Sequence, residues 1–175
     1  MTDSPWLDDA TWDAVQRTVP ITCVDLLPFR AGGAEVALVL RATPFGPEPR
    51  WCHMGGRLRY GETVRAALLR HLHETVSGAE VALPADPQPD YVMQWFADPV
   101  DPGRDGVAYG WDPRRHAVAL CFAVELTGEP VPVPGGEALR FGWFDTDALD
   151  GLDLWPGTAE LVAAMTRVLS LAGRR

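Results

Sequence analysis

The stretch GGRLRYGETVRAALLRHLHETVSG, residues 55–78, decides the fold because its glycine pair stands between a strand-like run and a well-marked helix. Apolar residues recur at helical spacing and predict an amphipathic helix over 63–76; they are Val64, Ala67, Leu68, Leu72 and Val76. A glycine pair between a strand and a helix lets the backbone approach a bound group closely. We therefore expect this turn and helix to form a site suited to a metal–phosphate complex.

One edge of this helix carries Arg70, His71 and Glu74 together. Glu74 is a candidate ligand of Mg²⁺, which proteins hold with one or two carboxylates, water and substrate phosphates. Arg70 is placed to orient that carboxylate, and we take Glu74 and Arg70 as candidate catalytic residues. His71 and Glu74 lie three residues apart, a spacing at which an imidazole and a carboxylate can hold one ion. The alternative is a solvated helix edge, where Arg70 and Glu74 form an ordinary contact and His73 faces water.

The rest of the chain predicts strands around one central and one terminal helix. Strand-like runs cover residues 21–29, 35–42, 51–54, 90–97, 115–126 and 137–145, and helices are expected over 7–18, 146–151 and 158–172. The proline-rich segments 43–50 and 98–113 are predicted loops, the second long enough to shape a pocket. This order indicates a single α/β or α+β domain whose mixed sheet is sandwiched between helices.

The composition excludes several classes of function. A net charge of −9 and a pI near 4.8 argue against nucleic acid as a partner, because that binding depends on clustered cations. The basic residues are arginine throughout, so a Walker-type phosphate loop and a Schiff-base lysine are excluded. The acidic N-terminus and the lack of a long apolar run predict a cytoplasmic protein without a membrane segment. Three cysteines without C-x-x-C spacing indicate neither a disulfide framework nor a zinc site.

Residues 56–78 resemble the Nudix box, G-x5-E-x7-R-E-U-x-E-E-x-G-U, where U is apolar. The matching residues are Gly56, Glu62, Arg70, Leu72 and Glu74, whereas His71, Thr75, Ser77 and Gly78 depart from the pattern. The stretch EALRFGWFDTDAL, residues 137–149, also resembles the end of a Nudix domain. The resemblance implies a Nudix domain over residues 20–175, preceded by an N-terminal helical extension over residues 1–19.

Within that family the chain resembles the GDP-mannose mannosyl hydrolases in its stretches VQRTVPITCVDLL, MGGRLRYGET and RHAVALCFAVEL. This resemblance implies that Asp25, Arg41 and Arg57 contact a sugar nucleotide, with the arginines toward the phosphates. It also implies a homodimer, for which Trp6 and Trp12 are available. The metal, Mg²⁺ or Mn²⁺, would depend on the ligands that remain: Gly55 through its carbonyl, Glu74 and, as a further candidate, His71. The chain has Thr75 and Trp155 where those enzymes carry a glutamate and a histidine base, so the base has to come from elsewhere.

Three other side chains are candidates for catalysis or substrate binding. His53 stands in the strand beside the glycine turn and is either a base or a buried histidine bonded to the backbone. His116 opens a strand and either faces the cleft or sits on its rim without a role. Trp95, like Trp111 and Trp155, either stacks on a base or belongs to the core.

Taken together, the sequence predicts a divalent-metal-dependent hydrolase of a nucleoside diphosphate derivative, most simply a nucleotide-sugar. The base would be Asp25, His53 or His116. Two other hypotheses stay open. One is a fold that has lost hydrolysis and binds a nucleotide or metabolite as a regulator. The other is a metal-independent acid–base catalyst of a biosynthetic pathway.

Overall fold

The computed structural model describes residues 7–99 and 109–172. The helices are α1 (Asp9–Thr18), α2 (Val64–Thr75) and α3 (Thr158–Ala172). The strands are β1 (Ile21–Arg30), β2 (Glu35–Thr43), β3 (Gly46–Cys52), β4 (Met54–Arg57), β5 (Val76–Val81), β6 (Tyr91–Phe96), β7 (Gly110–Trp111), β8 (Ala117–Val124), β9 (Leu126–Pro132) and β10 (Ala138–Asp145). Two 3-10 turns cover Ala31–Gly33 and Leu149–Gly151. Residues 100–108 of the predicted long loop, and Trp6, lie outside the described residues.

Within the described residues, eight strands form one mixed sheet in the order β10-β2-β1-β8-β6-β7, with β3 paired to β2 and β4 paired to β1. Its centre is a parallel pairing of β1 with β8, in register from Ile21 opposite Ala117 to Pro28 opposite Val124. β5 and β9 form a separate two-stranded sheet. Every residue of β1 from Val24 to Phe29 is buried, so helices and loops cover both faces of this strand. The predicted mixed sheet covered by helices is thus confirmed.

Helix α2 begins where Thr63 caps it, because the Thr63 side chain accepts a hydrogen bond from the backbone N–H of Ala66. Its buried face, Ala67, Leu68, Leu72 and Thr75, packs toward β1 and β4. The chain passes from Thr75 directly into β5 without a loop. The edge of α2 that carries Arg70 and His71 is held against the end of β4, where both side chains contact the carbonyl oxygen of Arg57.

Helix α1 has a different relation to the core, because none of its residues is buried. Asp8 caps it through the N–H of Thr11 at 2.9 Å. Among the described residues, no helix is both long and apolar enough to cross a membrane.

The structure corrects the prediction that residues 43–50 form a loop. Thr43 ends β2, and Gly46–Cys52 form β3. The strands β5, β7 and β9 were not predicted either. Both β3 and β9 contain prolines, which strands tolerate where the missing N–H is not needed for a second neighbour.

Candidate active site

A pocket of about 550 Å³ opens where β1, β4 and α2 meet. Every predicted site residue except His116 lines it; these are Asp25, Arg41, His53, Gly55, Arg57, Arg70, His71, Glu74 and Trp95. The pocket also has walls that the sequence did not predict, formed by Trp12, Asp112, Arg114, Arg115 and Glu137. The site therefore draws on α1, the sheet, α2 and the segment that leads into β8.

A carboxylate–imidazole pair lies in the wall of this pocket. The Nε2–H of His53 donates to Oδ2 of Asp25 at 3.1 Å, and Asp25 is only 3% exposed. The Trp95 ring lies beside His53, with 5.1 Å between ring centroids. Nδ1 of His53 is enclosed and has no hydrogen-bond partner among residues 7–99 and 109–172. The pair is therefore oriented by the protein at Nε2, and Nδ1 is the nitrogen whose hydrogen bond a ligand could complete.

Gly55 makes room for the Asp25–His53 pair. It lies opposite Asp25 in the antiparallel pairing of β1 with β4, and its φ of 146° favours glycine. A Cβ atom at Gly55 would overlap the carbonyl oxygen of Val24 and the side chain of Asp25. The first glycine of the pair is therefore required by the buried carboxylate behind it.

Arg70 ties the glycine turn to α2. Its Nε and Nη2 donate to the two carboxylate oxygens of Glu62 at 2.7 and 2.8 Å, and Nη2 also donates to the Arg57 carbonyl at 3.1 Å. The hydrogen bonds from Arg70 lower the pKa of the Glu62 carboxyl. Nη1 donates to Glu74 at 3.2 Å. Arg70 and Glu62 thus brace the loop between β4 and α2.

His71 is directed at the glycine turn. Its Nε2 lies 3.2 Å from the carbonyl oxygen of Arg57, and its ring covers the space where Gly56 would carry a Cβ atom. Burial lowers the pKa of His71, and the charge of Arg70 lowers it further. The neutral imidazole donates Nε2–H to this carbonyl. The ring nitrogen that faces the turn is therefore already in a hydrogen bond.

The structure adds a row of arginines to the site. The guanidinium carbons of Arg57 and Arg115 lie 4.2 and 5.5 Å from the ring centroid of Trp12. Arg114 binds the buried Asp112 with two hydrogen bonds of 2.8 and 2.7 Å. The sequence analysis did not single out Arg114, Arg115 or Asp112, which lie where a predicted loop passes into a predicted strand. These residues therefore become recognisable only once the segment before β8 is placed against β1.

The far wall is aromatic. Arg41 and Arg114 place their guanidinium carbons 5.4 and 5.3 Å from the ring centroid of Trp155. Trp155 is 6% exposed and its Nε1–H donates to the carbonyl of Trp111 at 2.9 Å. Glu137 also pairs with Arg41 at 3.0 Å. Trp155 is thus a fixed wall against which two cations are held.

His116 is the predicted candidate that the structure places elsewhere. It lies outside the pocket, in a neighbouring depression that also contains Arg17 and Pro20. Its ring stacks on Phe96, with 4.6 Å between centroids and 22° between planes. The expectation that His116 faces the cleft is wrong, because the strand β8 starts one residue later and Ala117 takes the inward position.

The predicted metal ligands do not fit a divalent cation. Glu74 is the predicted carboxylate ligand. Its Oε1 lies 3.4 Å from Nη2 of Arg59, and its Oε2 lies 3.2 Å from Nη1 of Arg70. Two guanidinium groups at these distances repel a cation. His71 uses Nε2 on a backbone carbonyl, and the next box position is the buried Thr75. Among the described residues, no group of three histidine, cysteine or acidic side chains is arranged to hold a metal ion.

Solved structures with the same fold fall among the Nudix proteins. A protein from Jonesia denitrificans DSM 20603, described as a "posible asymmetric diadenosine tetraphosphate (Ap(4)A)" hydrolase, is 28% identical, with a TM-score of 0.71 over 87% of this chain and 96% of its own. The NUDIX domain of Shewanella oneidensis NrtR, complexed with ADP ribose, is 16% identical, with a TM-score of 0.60 over 93% of this chain and 99% of its own. A NUDIX-family hydrolase from Clostridium perfringens is 14% identical, with a TM-score of 0.60 over 88% of this chain and 99% of its own.

These structures confirm the predicted Nudix-type fold. No curated protein matches the chain. A family model does match, over residues 2–170, and its description is "Domain of unknown function (DUF4916)". Because the match covers nearly all of its length, this chain with a Nudix-type fold belongs to the DUF4916 family.

Proposed function

We propose that this protein is a hydrolase of a nucleoside diphosphate derivative, with a nucleotide-sugar as the substrate class. The observation that carries the proposal is the Asp25–His53 pair in the wall of an arginine-lined pocket. The relatives named as hydrolases support the reaction class. The nucleotide-sugar is supported only by the likeness of the sequence to the GDP-mannose mannosyl hydrolases.

The arginines of the pocket supply the binding of the diphosphate. Guanidinium groups pair with phosphate oxygens through two parallel hydrogen bonds, and they keep their charge at all physiological pH values. Arg41, Arg57 and Arg115 reach the pocket from three different segments of the chain. The diphosphate is therefore bound across the mouth of the pocket, with Trp95 and Trp155 as aromatic surfaces for the groups at its ends.

The Asp25–His53 pair supplies the base. Asp25 holds the ring through Nε2–H, so Nδ1 is the basic nitrogen that takes a proton from water. The water oxygen forms a bond to the sugar carbon. At the same time the bond between that carbon and the oxygen of the departing diphosphate breaks. The electron pair of that bond stays on the phosphate oxygen, where the arginines neutralise the charge. The imidazolium that forms is stabilised by the Asp25 carboxylate.

A product-resolved assay over GDP-mannose, other nucleotide-sugars and ADP-ribose tests this function. We expect turnover of at least one compound, and we expect His53→Gln to lower kcat by roughly 100-fold or more. Asp25→Asn should lower kcat as well, because the amide no longer stabilises the imidazolium. His73→Gln is the matched control, since His73 is exposed and lies outside the pocket. Full turnover by His53→Gln would remove this base from the mechanism.

A second candidate function is binding without hydrolysis. It is favoured by Thr75, which replaces an acid of the box on the buried face of α2. In that case ADP-ribose or a nucleotide-sugar raises the melting temperature of the protein, because ligands stabilise the state they bind. The same compounds then stay intact in the product-resolved assay. This combination would favour a regulator over an enzyme.

A further inference from the structure

Arginines crowd the edge of the pocket where β4, α2 and the segment before β8 meet. Arg57, Arg59 and Arg70 stand close enough that the pKa of Arg57 is lowered, first by burial and then by the charges of the other two. The pKa of Arg115 is also lowered, first by burial and then by the charge of Arg114. Like charges that depress one another in a partly buried site are relieved by an anion. The electrostatics of this edge therefore favour a phosphate group and oppose a bare cation.

Arg115 has a side-chain donor that forms no hydrogen bond with the described part of the chain. Its Nε lies 3.8 Å from Oδ2 of Asp112, too far for a hydrogen bond, because Arg114 already occupies both oxygens of that carboxylate. Nε of Arg115 is buried and finds no hydrogen-bond acceptor in the part of the chain that the structure describes. The side chain is only 17% exposed. A largely buried guanidinium with an unused donor provides a preformed position for an acceptor oxygen of a ligand.

Trp12 holds Arg57 and Arg115 at this place. Its ring is in cation–π distance of both guanidinium groups, and it comes from α1, a helix with no buried residue of its own. The two arginines come from β4 and from the segment before β8, so neighbouring strands of the sheet fix their backbones. The three residues Trp12, Arg57 and Arg115 are called the Trp12 subsite below.

We propose that the Trp12 subsite binds a phosphate group of the substrate directly and takes the place of the divalent cation that the Nudix-type fold implies. The inference rests on the proposed function for its ligand class, a diphosphate. It goes further in stating that binding does not depend on a metal ion. Two observations carry it: the arginines that occupy both oxygens of Glu74, and the unused donor of Arg115.

Calorimetric titration of the full chain with pyrophosphate, and separately with GDP, tests the inference. Each titration is run once in excess EDTA and once in excess Mg²⁺. We expect the dissociation constant in EDTA to lie within about threefold of its value in Mg²⁺. Arg115→Gln should weaken binding in EDTA by roughly 10-fold or more, because a charge-assisted hydrogen bond is lost. Trp12→Ala should weaken binding as well, since the two arginines lose their support.

Arg17→Gln is the matched control, because it removes the same charge from an exposed position of α1. It should leave binding within about twofold of the wild-type value, as surface charges contribute little. The melting temperature of each variant shows whether it is folded, and Arg115→Lys provides a second variant that keeps the charge but loses the planar fork.

Binding that requires Mg²⁺ and disappears in Glu74→Gln would overturn the inference. Equal losses in Arg115→Gln and Arg17→Gln would also overturn it, because they would show a general charge effect. The proposed hydrolysis is tested independently. Tight binding in EDTA without turnover of any nucleotide-sugar removes the hydrolase and keeps the subsite, whereas turnover that depends strictly on Mg²⁺ removes the subsite and keeps the hydrolase.

Discussion

At the scale of single residues, the site depends on the planar guanidinium group. Arg70 alone serves three acceptors, the carboxylates of Glu62 and Glu74 and the carbonyl of Arg57. A lysine ammonium could not span these directions with fixed geometry. The chain has fifteen basic residues and all are arginine, so each cation in the pocket has a fork that can bind one carboxylate or one phosphate.

The two carboxylates that bind Arg70 should differ in how much their removal lowers the free energy of unfolding. Glu62 is 13% exposed and forms two short bonds, whereas the Glu74 side chain is 51% exposed. We expect Glu62→Gln to lower the free energy of unfolding by about 1–3 kcal/mol, because a charge-assisted pair with little solvent screening is lost. Glu74→Gln should cost no more than about 0.5 kcal/mol. Urea unfolding at neutral pH measures both, and equal costs would contradict the bracing role of Glu62.

His71 predicts a dependence of stability on pH. Its pKa in the folded protein is below the usual 6.5, so the unfolded chain binds a proton first as the pH falls. The contribution of His71 to stability is therefore absent above the unfolded pKa and becomes unfavourable below it. As the pH falls from about 7.5 to about 5, the free energy of unfolding should therefore decrease less in His71→Gln than in the wild type. Thermal melting over this range checks it, and parallel curves for the two proteins would contradict it.

The residues of the pocket were predictable to different degrees. Helical spacing placed Arg70, His71 and Glu74 on one edge, and all three line the pocket. Arg115 and Trp12 were not predicted as site residues, because they reach the pocket from loops and helices far away along the chain. His116 was misplaced for a related reason: one residue separates the two faces at the start of a strand, and the sequence does not define the start that sharply.

At the scale of elements, periodicity predicted the helices and the central strands well. The strands it missed are β3 and β9, which contain prolines, β7, which has two residues, and β5, which continues directly from α2. Within them, Pro130 and Pro132 belong to a strand that pairs with one neighbour, so the lost N–H groups are not required on its other side. A sequence pattern reports which residues favour a strand, whereas the register and the number of neighbours are decided by the whole sheet.

The glycine turn gives a prediction at this scale. Gly55→Ala should lower the free energy of unfolding by about 2 kcal/mol or more, because the new Cβ atom meets backbone atoms of β1 that cannot move aside. Gly151→Ala is the control, since a Cβ atom there has nothing within 4 Å and the backbone conformation is ordinary. It should change stability by no more than about 0.5 kcal/mol. Urea unfolding of the two variants measures the difference, and a mild effect at Gly55 would contradict the tight packing on Asp25.

At the scale of the whole molecule, the core encloses Cys52 and Cys121, and Cys23 lies in the wall of the pocket beside it. Cys52 and Cys121 are buried, and burial raises the pKa of Cys52 and of the half-buried Cys23 to about 12. The reactive species, the thiolate, is therefore scarce at neutral pH. The three thiols report on unfolding of the entire domain rather than on local chemistry.

This arrangement predicts slow thiol labelling in the folded state. We expect a disulfide reagent to modify none of the cysteines on the timescale in which it modifies a denatured sample, and we expect the labelling rate to rise with urea in step with global unfolding. Mass spectrometry identifies the modified residue. Fast modification of Cys23 in the absence of urea would show that the pocket wall opens locally.

The parallel pairing of β1 with β8 has a consequence for how the protein is made. Ile21 finds its partner only when Ala117 has been synthesised, and Trp155 is added later still. Contacts between such distant parts of a chain form slowly, and on the ribosome they form late. The pocket is thus completed only after Trp155 has been synthesised, and a nascent chain that stops before β8 has α1, α2 and the glycine turn but lacks the pocket walls formed by Ala117 and Trp155.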